Sequence, residues 1–550
     1  MTTPATILSV DELVAIYAAE AMRSGPAPPL VALVTRLRDA GSDADFWARV
    51  GDALSGNGFA EAAAALLAAG LQQHPRQAQL HYLRGNALRV SQRHAEAETD
   101  FRAALRLSPG HRQAALSLAF MRRELGRIEA AGDAILAQWR AEHGNAEQSL
   151  ELLEFLRESG AQKQARALAA AAQARWPQHA RIAAIAGELA LAFGDFADAR
   201  TLLRRAVQVD PAQSSAWLRL SYCQRCSDPD DADLALLRDA WTRRETVPAS
   251  RICAGFGVGK LLDDLDDRAG AAAVLRKANA LADAQSSWSA DAWQALTERQ
   301  IAHAPLPALD IDSTFVPVFI VGLPRSGTTL VATRLARHAD VHDRGELNWI
   351  AAMYEHLSAQ DALRDRSALQ SIRNLIATQM RRDDAAARFY IDKNPLNYRH
   401  LNLALALFPN ARIVHLQRDA RDTALSLWSQ HFAHPDLGFS YDFSSIAATM
   451  RGHERLMAHW RTALRAQILE VEYETLATDP TAQLARIAAY IGLRDTAAAD
   501  APHADIITTA SVWQARQPVY ASAIGRWRRY AEFVPELTDM FEDTGLRAEG

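Results

Sequence analysis

Val316-Pro-Val-Phe-Ile-Val-Gly-Leu-Pro-Arg-Ser-Gly-Thr-Thr-Leu330 is the stretch that decides the C-terminal half of the chain. Val316 to Val321, with Pro317 near the start, reads as a short buried strand. Gly322 and Gly327 bracket a tight turn, and helical spacing returns through Leu330, Thr333, Leu335 and Ala336. A strand, a glycine loop and a helix together aim several backbone N–H groups at one anion. The helix N-terminus adds about half a positive charge. Glycine lets the backbone approach closely, and the hydroxyls of Thr328 and Thr329 can donate to phosphate oxygens. The stretch therefore predicts a phosphate site.

A nucleotide-hydrolysing loop of this kind reads G-x-x-x-x-G-K-[ST], its lysine reaching the β/γ-phosphates. Here Gly322 and Gly327 have the right spacing, but Thr328 stands in the lysine position and Arg325 lies inside the loop. That departure disfavours ATP or GTP hydrolysis. The run Pro324-Arg-Ser-Gly-Thr-Thr-Leu330 after a strand resembles the 5′-phosphosulfate loop of sulfotransferases that use 3′-phosphoadenosine 5′-phosphosulfate (PAPS), the tyrosylprotein branch above all. The resemblance makes Arg325, Ser326, Gly327, Thr328, Thr329 and Leu330 the candidate cofactor-binding residues of the loop.

The 550 residues suffice for two or more domains, and 49% hydrophobic with 23% charged residues is an ordinary globular composition. A net charge of −5 argues against a surface that coats polyanions, so general nucleic-acid binding is not expected. The three cysteines, Cys223, Cys226 and Cys253, all precede the loop, which fits a reducing compartment. Cys223 and Cys226 have the spacing of half a metal site, but no second pair accompanies them; buried thiols are expected and no metal is assigned. The first ten residues lack the charged-then-apolar order of a secretory signal, and no run of 18 apolar residues free of charge occurs. The expectation is a soluble, cytoplasmic protein with no membrane span.

Ahead of the loop, one pattern recurs on a 34-residue frame. Gly51, Ala63, Leu67 and Pro75 set it; Gly85, Ala97, Phe101 and Pro109 repeat it; Gly187, Ala199, Ala206 and Pro211 carry it further, and Gly259, Ala271 and Leu275 form a weaker copy. Small residues let two helices cross closely, the large one fills the gap, and proline stops the second helix. This pattern resembles the tetratricopeptide repeat, in about seven copies. The expected organisation is a helical cap over residues 1–43, an all-α repeat solenoid over 44–285, a linker over 286–314 and an α/β P-loop-like sulfotransferase domain with a central parallel sheet over 315–550. The groove of such a solenoid is expected to hold a peptide or protein partner.

Further strands are predicted at Arg388 to Asp392, Arg412 to Leu416 and Ile468 to Glu472, with helices between them, including one from Glu346 to Leu357. Alternating strands and helices imply a parallel sheet, whose ligands sit beyond the carboxyl ends of the strands. That rim would gather Arg325 with Ser326, Lys393 with Asn394, and Arg418 with Asp419. Arg418-Asp-Ala-Arg-Asp-Thr-Ala-Leu-Ser426 resembles the family's 3′-phosphate motif, which assigns Arg418 and Ser426 to the cofactor. Tyr473-Glu-Thr-Leu476 is similar to the segment whose tyrosine reaches the nucleotide. Ser511 and Arg526 fall in what looks like the family's C-terminal cofactor-closing loop, Arg526 replacing a lysine.

Sulfuryl transfer carries less charge than phosphoryl transfer, so cations at the bridging oxygen can serve in place of a metal clamp. Arg325 and Lys393 are assigned that task. A hydroxyl acceptor needs a general base. The resemblance places it at Glu346, with His342 as the alternative, while His415 inside a strand is read as a core histidine. Two rival readings are a P-loop nucleotide-dependent kinase and a non-catalytic repeat scaffold.

Overall fold

The computed structural model describes residues 8–312, 314–383, 386–464, 468–493 and 523–542. The chain forms two compact units, one up to Leu168 and one from Ala169 onward.

Helices Val10–Ser24 and Ala27–Asp39 precede the repeats, separated by Gly25 at φ +79°. Helix pairs then begin at Ala44, Ala78, Arg112, Ala146, Ala180, Ser214 and Pro248, a constant step of 34 residues. The reason for the step lies in the packing. A Cβ placed on Gly51 would come 2.6 Å from Leu67, one on Gly85 2.7 Å from Phe101, one on Gly187 2.7 Å from Leu203, and one on Gly259 2.6 Å from Leu275. In each pair the large side chain, sixteen positions on, lies flat on a bare patch of helix. Close helix crossing of this kind requires glycine, and overpacking it costs about 1–3 kcal/mol.

The second unit holds a five-stranded, wholly parallel sheet in the order β2-β3-β1-β4-β5. Its strands are β1 (Val316–Gly322), β2 (Val341–Asp343), β3 (Phe389–Asp392), β4 (Arg412–Gln417) and β5 (Ile468–Glu472). β1 is central. Val318 and Ile320 face one core with Val331, Ile391, Val414 and Ile487, while Phe319 and Val321 face another with Tyr390, Leu401, Ile413 and Trp460. A strand buried on both faces reads as the continuous apolar run seen in the sequence. The short edge strand β2 carries no such run, which is why the sequence reading passed over it.

The predicted helix at Glu346 to Leu357 begins instead at Trp349. Residues 344–347 turn at Gly345 (φ +80°) and are held against the end of β3: Arg344 N–H donates to Ile391 O (2.9 Å), Lys393 N–H to Gly345 O (2.9 Å) and Leu347 N–H to Asp392 Oδ1 (3.2 Å). These bonds outcompete the first helical turn.

A third core joins the last repeat helices to the C-terminal part. Leu237, Phe256, Leu275 and Ala278 pack in one cluster with Leu425, Trp428, Phe439, Tyr441, Tyr530 and Leu537. Residues between the repeats and β1 include the helix Ala290–Ala302, whose Trp293 lies on Gly452 and donates from Nε1 to Ala448 O (3.1 Å). The three cysteines are free and buried. No helix among the described residues is long and apolar enough to cross a membrane.

Candidate active site

β3, β1 and β4 are neighbours in the sheet, so the segments that leave their carboxyl ends share one rim. After β1 the chain turns through Gly322 (φ +150°), Arg325 (φ +74°) and Gly327 (φ +103°) before the helix Thr328–Leu335. Gly322 is required by space as well as by φ, because a Cβ there would strike Leu416 O of β4. Gly327 lies under an aromatic ring: its Cβ would come 2.7 Å from the Tyr473 side chain. Arg325 holds the left-handed conformation without being glycine, a strain that recurs at ligand-binding turns. The N-cap of the helix that follows is Gly327, which has no side chain to cap it. The first N–H groups of an uncapped helix are donors suited to an anion.

The loop is tied to β4's end by three side chains. Arg418, one residue past β4, donates from Nη1 to Arg325 O (3.1 Å) and from Nη2 to Ala523 O (2.8 Å). Its guanidinium lies 4.7 Å from the centre of the Tyr473 ring. Arg325 Nε donates to Ser426 Oγ (3.2 Å), two turns into the helix Ala420–Trp428. Arg325, Ser326, Gly327, Arg418, Ser426 and Tyr473 thus come together, as the spacing of three separate motifs requires.

Two buried polar atoms here have no partner among the described residues: Ser326 Oγ and Arg418 Nε. A buried donor without an acceptor costs about 1–3 kcal/mol. A ligand bearing phosphates would satisfy both, and the residues present fit a nucleotide phosphorylated at each end of its ribose. Thr328 and Thr329 are buried at the start of the same helix, and Leu330 follows them half-buried.

At the end of β3, Lys393 Nζ donates to Glu346 Oε1 (3.3 Å); the lysine side chain is 5% exposed and the carboxylate 43%. Asn394 Nδ2 donates to Leu347 O and to Asn348 Oδ1, each at 2.9 Å. Asp392 is the brace beneath them. Its carboxylate accepts from Leu347 N–H (3.2 Å), Asn394 N–H (3.0 Å) and Asn397 Nδ2 (2.8 Å). Burial pushes the Asp392 carboxyl up to about 7, opposed by those donors and by Lys393. His342, the alternative base, lies within β2 with its ring 6.0 Å from that of Tyr390. His415 is buried as expected, yet it is not apolar in its surroundings: Nε2 lies 3.1 Å from His453 Nε2 and Nδ1 lies 3.5 Å from Glu470.

Ser511 lies outside the described residues. Arg526 faces the repeats: its Nη2 donates to Asp263 Oδ2 (2.7 Å). Sequence reasoning passed over Asp392, Asp422 and Asp263. Asp422 sits in the first turn of a helix, where a carboxylate is favoured in any case. Asp263 belongs to a run of aspartates on a repeat helix, and nothing in that run singles it out. Among the described residues no cluster of three or more His, Cys, Asp or Glu is arranged to hold a metal.

Strand, glycine loop and helix at the rim of a parallel sheet, crossed by an arginine from the next strand, define an anion-binding α/β domain. Comparison with known proteins gives that class its family. Residues 317–497 match the model of the Sulfotransferase family, and residues 49–112 and 180–223 match Tetratricopeptide repeat models. The chain carries a sulfotransferase-family domain joined to tetratricopeptide repeats. Among curated relatives, an uncharacterized protein of Aquifex aeolicus (strain VF5) is 25% identical over 395 residues, covering 68% of this chain and 51% of that one. A protein-tyrosine sulfotransferase of Drosophila melanogaster is 26% identical over 190 residues, covering 32% of this chain and 37% of that one. The chain thus spans about half the length, or less, of these relatives. Among solved structures, the sulfotransferase domain of the Synechococcus PCC 7002 olefin synthase is 20% identical, covers 45% of this chain and 100% of its own, and gives a TM-score of 0.33.

Proposed function

We propose that the protein transfers a sulfuryl group from PAPS to a hydroxyl acceptor at the rim beyond β1, β3 and β4. The observation that carries this reading is the junction of loop and 3′-phosphate motif. Arg418 donates to the carbonyl of Arg325 while Arg325 donates to Ser426, and Ser326 Oγ and Arg418 Nε in the same place have no partner among the described residues. PAPS, when bound, supplies the sulfuryl group. Arg325, the backbone N–H groups of Gly327 to Leu330 and the hydroxyls of Ser326, Thr328 and Thr329 hold its 5′ end. Arg418 and Ser426 hold the 3′-phosphate, the arginine as a planar fork and the serine as a hydroxyl. Tyr473 supports the nucleotide from the side of Gly327. Ser511 and Arg526 belong to the segment that closes over it.

In the transfer, the S–O bond to the 5′-phosphate breaks as a new S–O bond forms to the acceptor oxygen. Glu346 takes the acceptor's proton. Lys393 has three N–H donors, one of them committed to Glu346. With its other donors it would stabilise the negative charge that grows on the bridging oxygen, together with Arg325. The fixed backbone ladder from Arg344 to Leu347 holds Glu346 ready without a change of conformation.

We infer a peptide or protein hydroxyl as acceptor. The Drosophila relative is named for protein tyrosine, and stacked repeats provide an extended concave surface for a peptide. Residues 44–285 form that recruiting solenoid, residues 286–314 connect it, and residues 315–550 perform the chemistry, in the cytoplasm. The test is transfer of labelled sulfuryl from PAPS with the wild type and with Arg325→Ala. The variant should keep the wild-type unfolding midpoint within a few degrees and lose transfer by about a thousandfold, the scale on which charge-stabilising groups act. Turnover retained in Arg325→Ala would remove the loop from the mechanism.

A further inference from the structure

The C-terminal segment is held from two sides, and the two holds meet at the cofactor arginine. On the side of the sheet domain, Asp422 accepts from Gly525 N–H (2.6 Å, Oδ2) and Trp527 N–H (2.8 Å, Oδ1). Arg421 lies over the Trp527 ring, 3.9 Å from its centre. Ala523 O, two residues before Gly525, accepts from Arg418 Nη2 (2.8 Å). On the side of the repeats, Asp263 accepts from Arg526 Nη2 (2.7 Å, Oδ2) and from Tyr530 OH (2.5 Å, Oδ1). Farther along, Arg276 of the last repeat helix pairs with Glu536 and donates from Nη2 to Phe533 O (3.2 Å). Asp263 stands at the end of the helix Pro248–Asp264, the first helix of the seventh pair.

We propose that Asp263, on the repeat array, is a positioning residue for the nucleotide site. It fixes the turn Gly525–Tyr530 through Arg526 and Tyr530. That turn in turn sets Ala523 O and so the guanidinium plane of Arg418. Two arguments favour positioning over simple glue. First, the chain of bonds is short: Asp263, Arg526, the backbone from Arg526 back to Ala523, then Arg418. A guanidinium that must accept a bidentate ligand geometry is sensitive to small displacements. Second, Arg526 is the residue expected at the nucleotide on sequence grounds, yet it is given to Asp263, while the backbone on either side of it meets Asp422. The side chain anchors the segment, and the backbone faces the site. The repeats and the catalytic rim are thereby coupled: what displaces the end of the helix Pro248–Asp264 is felt at Arg418.

The inference rests on the reading that Arg418 holds a 3′-phosphate, and the experiment separates the two. Adenosine 3′,5′-bisphosphate is titrated calorimetrically into the wild-type full chain, Asp263→Asn, Arg526→Ala and the charge-swapped pair Asp263→Arg with Arg526→Asp. Asp263→Asn keeps the shape of the side chain and removes its charge. It should weaken binding about tenfold, as loss of a charge-assisted hydrogen bond does. The swapped pair should recover to within about threefold of wild type. Adenosine 5′-monophosphate, which lacks the 3′-phosphate, should bind wild type and Asp263→Asn alike, a pattern that general destabilisation does not produce. Wild-type affinity in Asp263→Asn, or equal weakening toward both nucleotides, overturns the positioning role while leaving the site intact. A charge swap that fails to restore binding although it unfolds at the wild-type midpoint assigns Arg526 to the nucleotide directly and also overturns it. Absence of any binding by the wild type overturns the underlying site as well.

Discussion

The early repeats and the last ones are built on the same frame and put it to different use. In the first unit, buried polar side chains answer one another between successive helices. Asp100, 2% exposed, lies 2.9 Å from His81 Nδ1 and accepts from Arg84 Nε at 2.6 Å; Glu98 accepts from Arg122 (2.8 Å) and pairs with Arg127 (3.0 Å). The last repeats keep such pairs, Asp233 accepting from Arg204 Nε (2.7 Å), and in addition send polar side chains to later parts of the chain. Asn279 Nδ2 donates to Trp428 O (2.9 Å), Tyr222 OH to Gln430 Oε1 (3.0 Å), and Asp263 takes Arg526 and Tyr530. The glycine-to-large-residue lock is common to both, at Gly51 and Leu67 as at Gly259 and Leu275. A repeat therefore fixes how a helix pair packs, and leaves open what its outer face meets.

The largest effect expected from this difference concerns deletion. A chain lacking residues 169–285 should lose the cooperative unfolding transition of the sheet domain, because Leu425, Trp428, Tyr441 and Tyr530 would lose the core they share with Phe256 and Leu275. A chain lacking only residues 1–168 should keep that transition. Calorimetry on both chains checks it, and a stable sheet domain in the first would erase the contrast between early and late repeats.

Much of this organisation was legible in the sequence, and the limits are physical. The 34-residue step and β1 were readable because packing periodicity is written in apolar and small residues. The rim residues Arg325, Arg418 and Ser426 were readable because each lies at a fixed offset from a strand. Asp392 was hidden, since a carboxylate buried under a strand end has the same one-letter form as a capping one. Asp263 was hidden because its role depends on a partner 263 residues away in the chain. The start of the helix at Trp349 in place of Glu346 was hidden for a third reason: the competing bonds come from β3, which is distant in sequence.

Next in size is Asp392. Asp392→Ala strands three N–H donors and should cost about 3–5 kcal/mol in denaturant unfolding, with loss of transfer. Asp392→Asn should cost far less. Its oxygen can keep the two backbone donors, and its new N–H₂ can meet the Asn397 amide once that amide turns over, since Asn397 Oδ1 has no partner among the described residues. Equal damage from both variants would mean that the charge of Asp392, and not its acceptor geometry, braces Glu346.

The glycine locks come third. Gly51→Ala and Gly259→Ala should each destabilise by about 1–3 kcal/mol. Nucleotide affinity should fall in Gly259→Ala alone, where the strained helix carries Asp263. Matched loss in both would dissolve the distinction between the two ends of the array.

Acid sensitivity is the smallest effect. Burial holds the imidazole of His400 down at about 3 and that of His431 at about 4, both in the second unit. The folded state keeps these rings neutral, while in the unfolded chain they take up protons below about 6.5. Stability is therefore unaffected above that pH and is lost as pH falls below it, approaching about 1.4 kcal/mol per pH unit for each histidine. Unfolding midpoints at pH 7.5 and 5.5 should show the sheet-bearing transition falling, and His400→Gln should lessen the fall. Gln300 Nε2, 3.1 Å from His400 Nδ1, remains a partner for that amide.

Calorimetric titration of the wild-type chain with adenosine 3′,5′-bisphosphate, with ATP and magnesium as the comparison, addresses the rim beyond β1, β3 and β4 itself. The predicted result is micromolar binding of the bisphosphate that drops at least tenfold in Arg418→Ala, and no comparable binding of ATP. Tight ATP binding with no response to the 3′-phosphate would contradict the account.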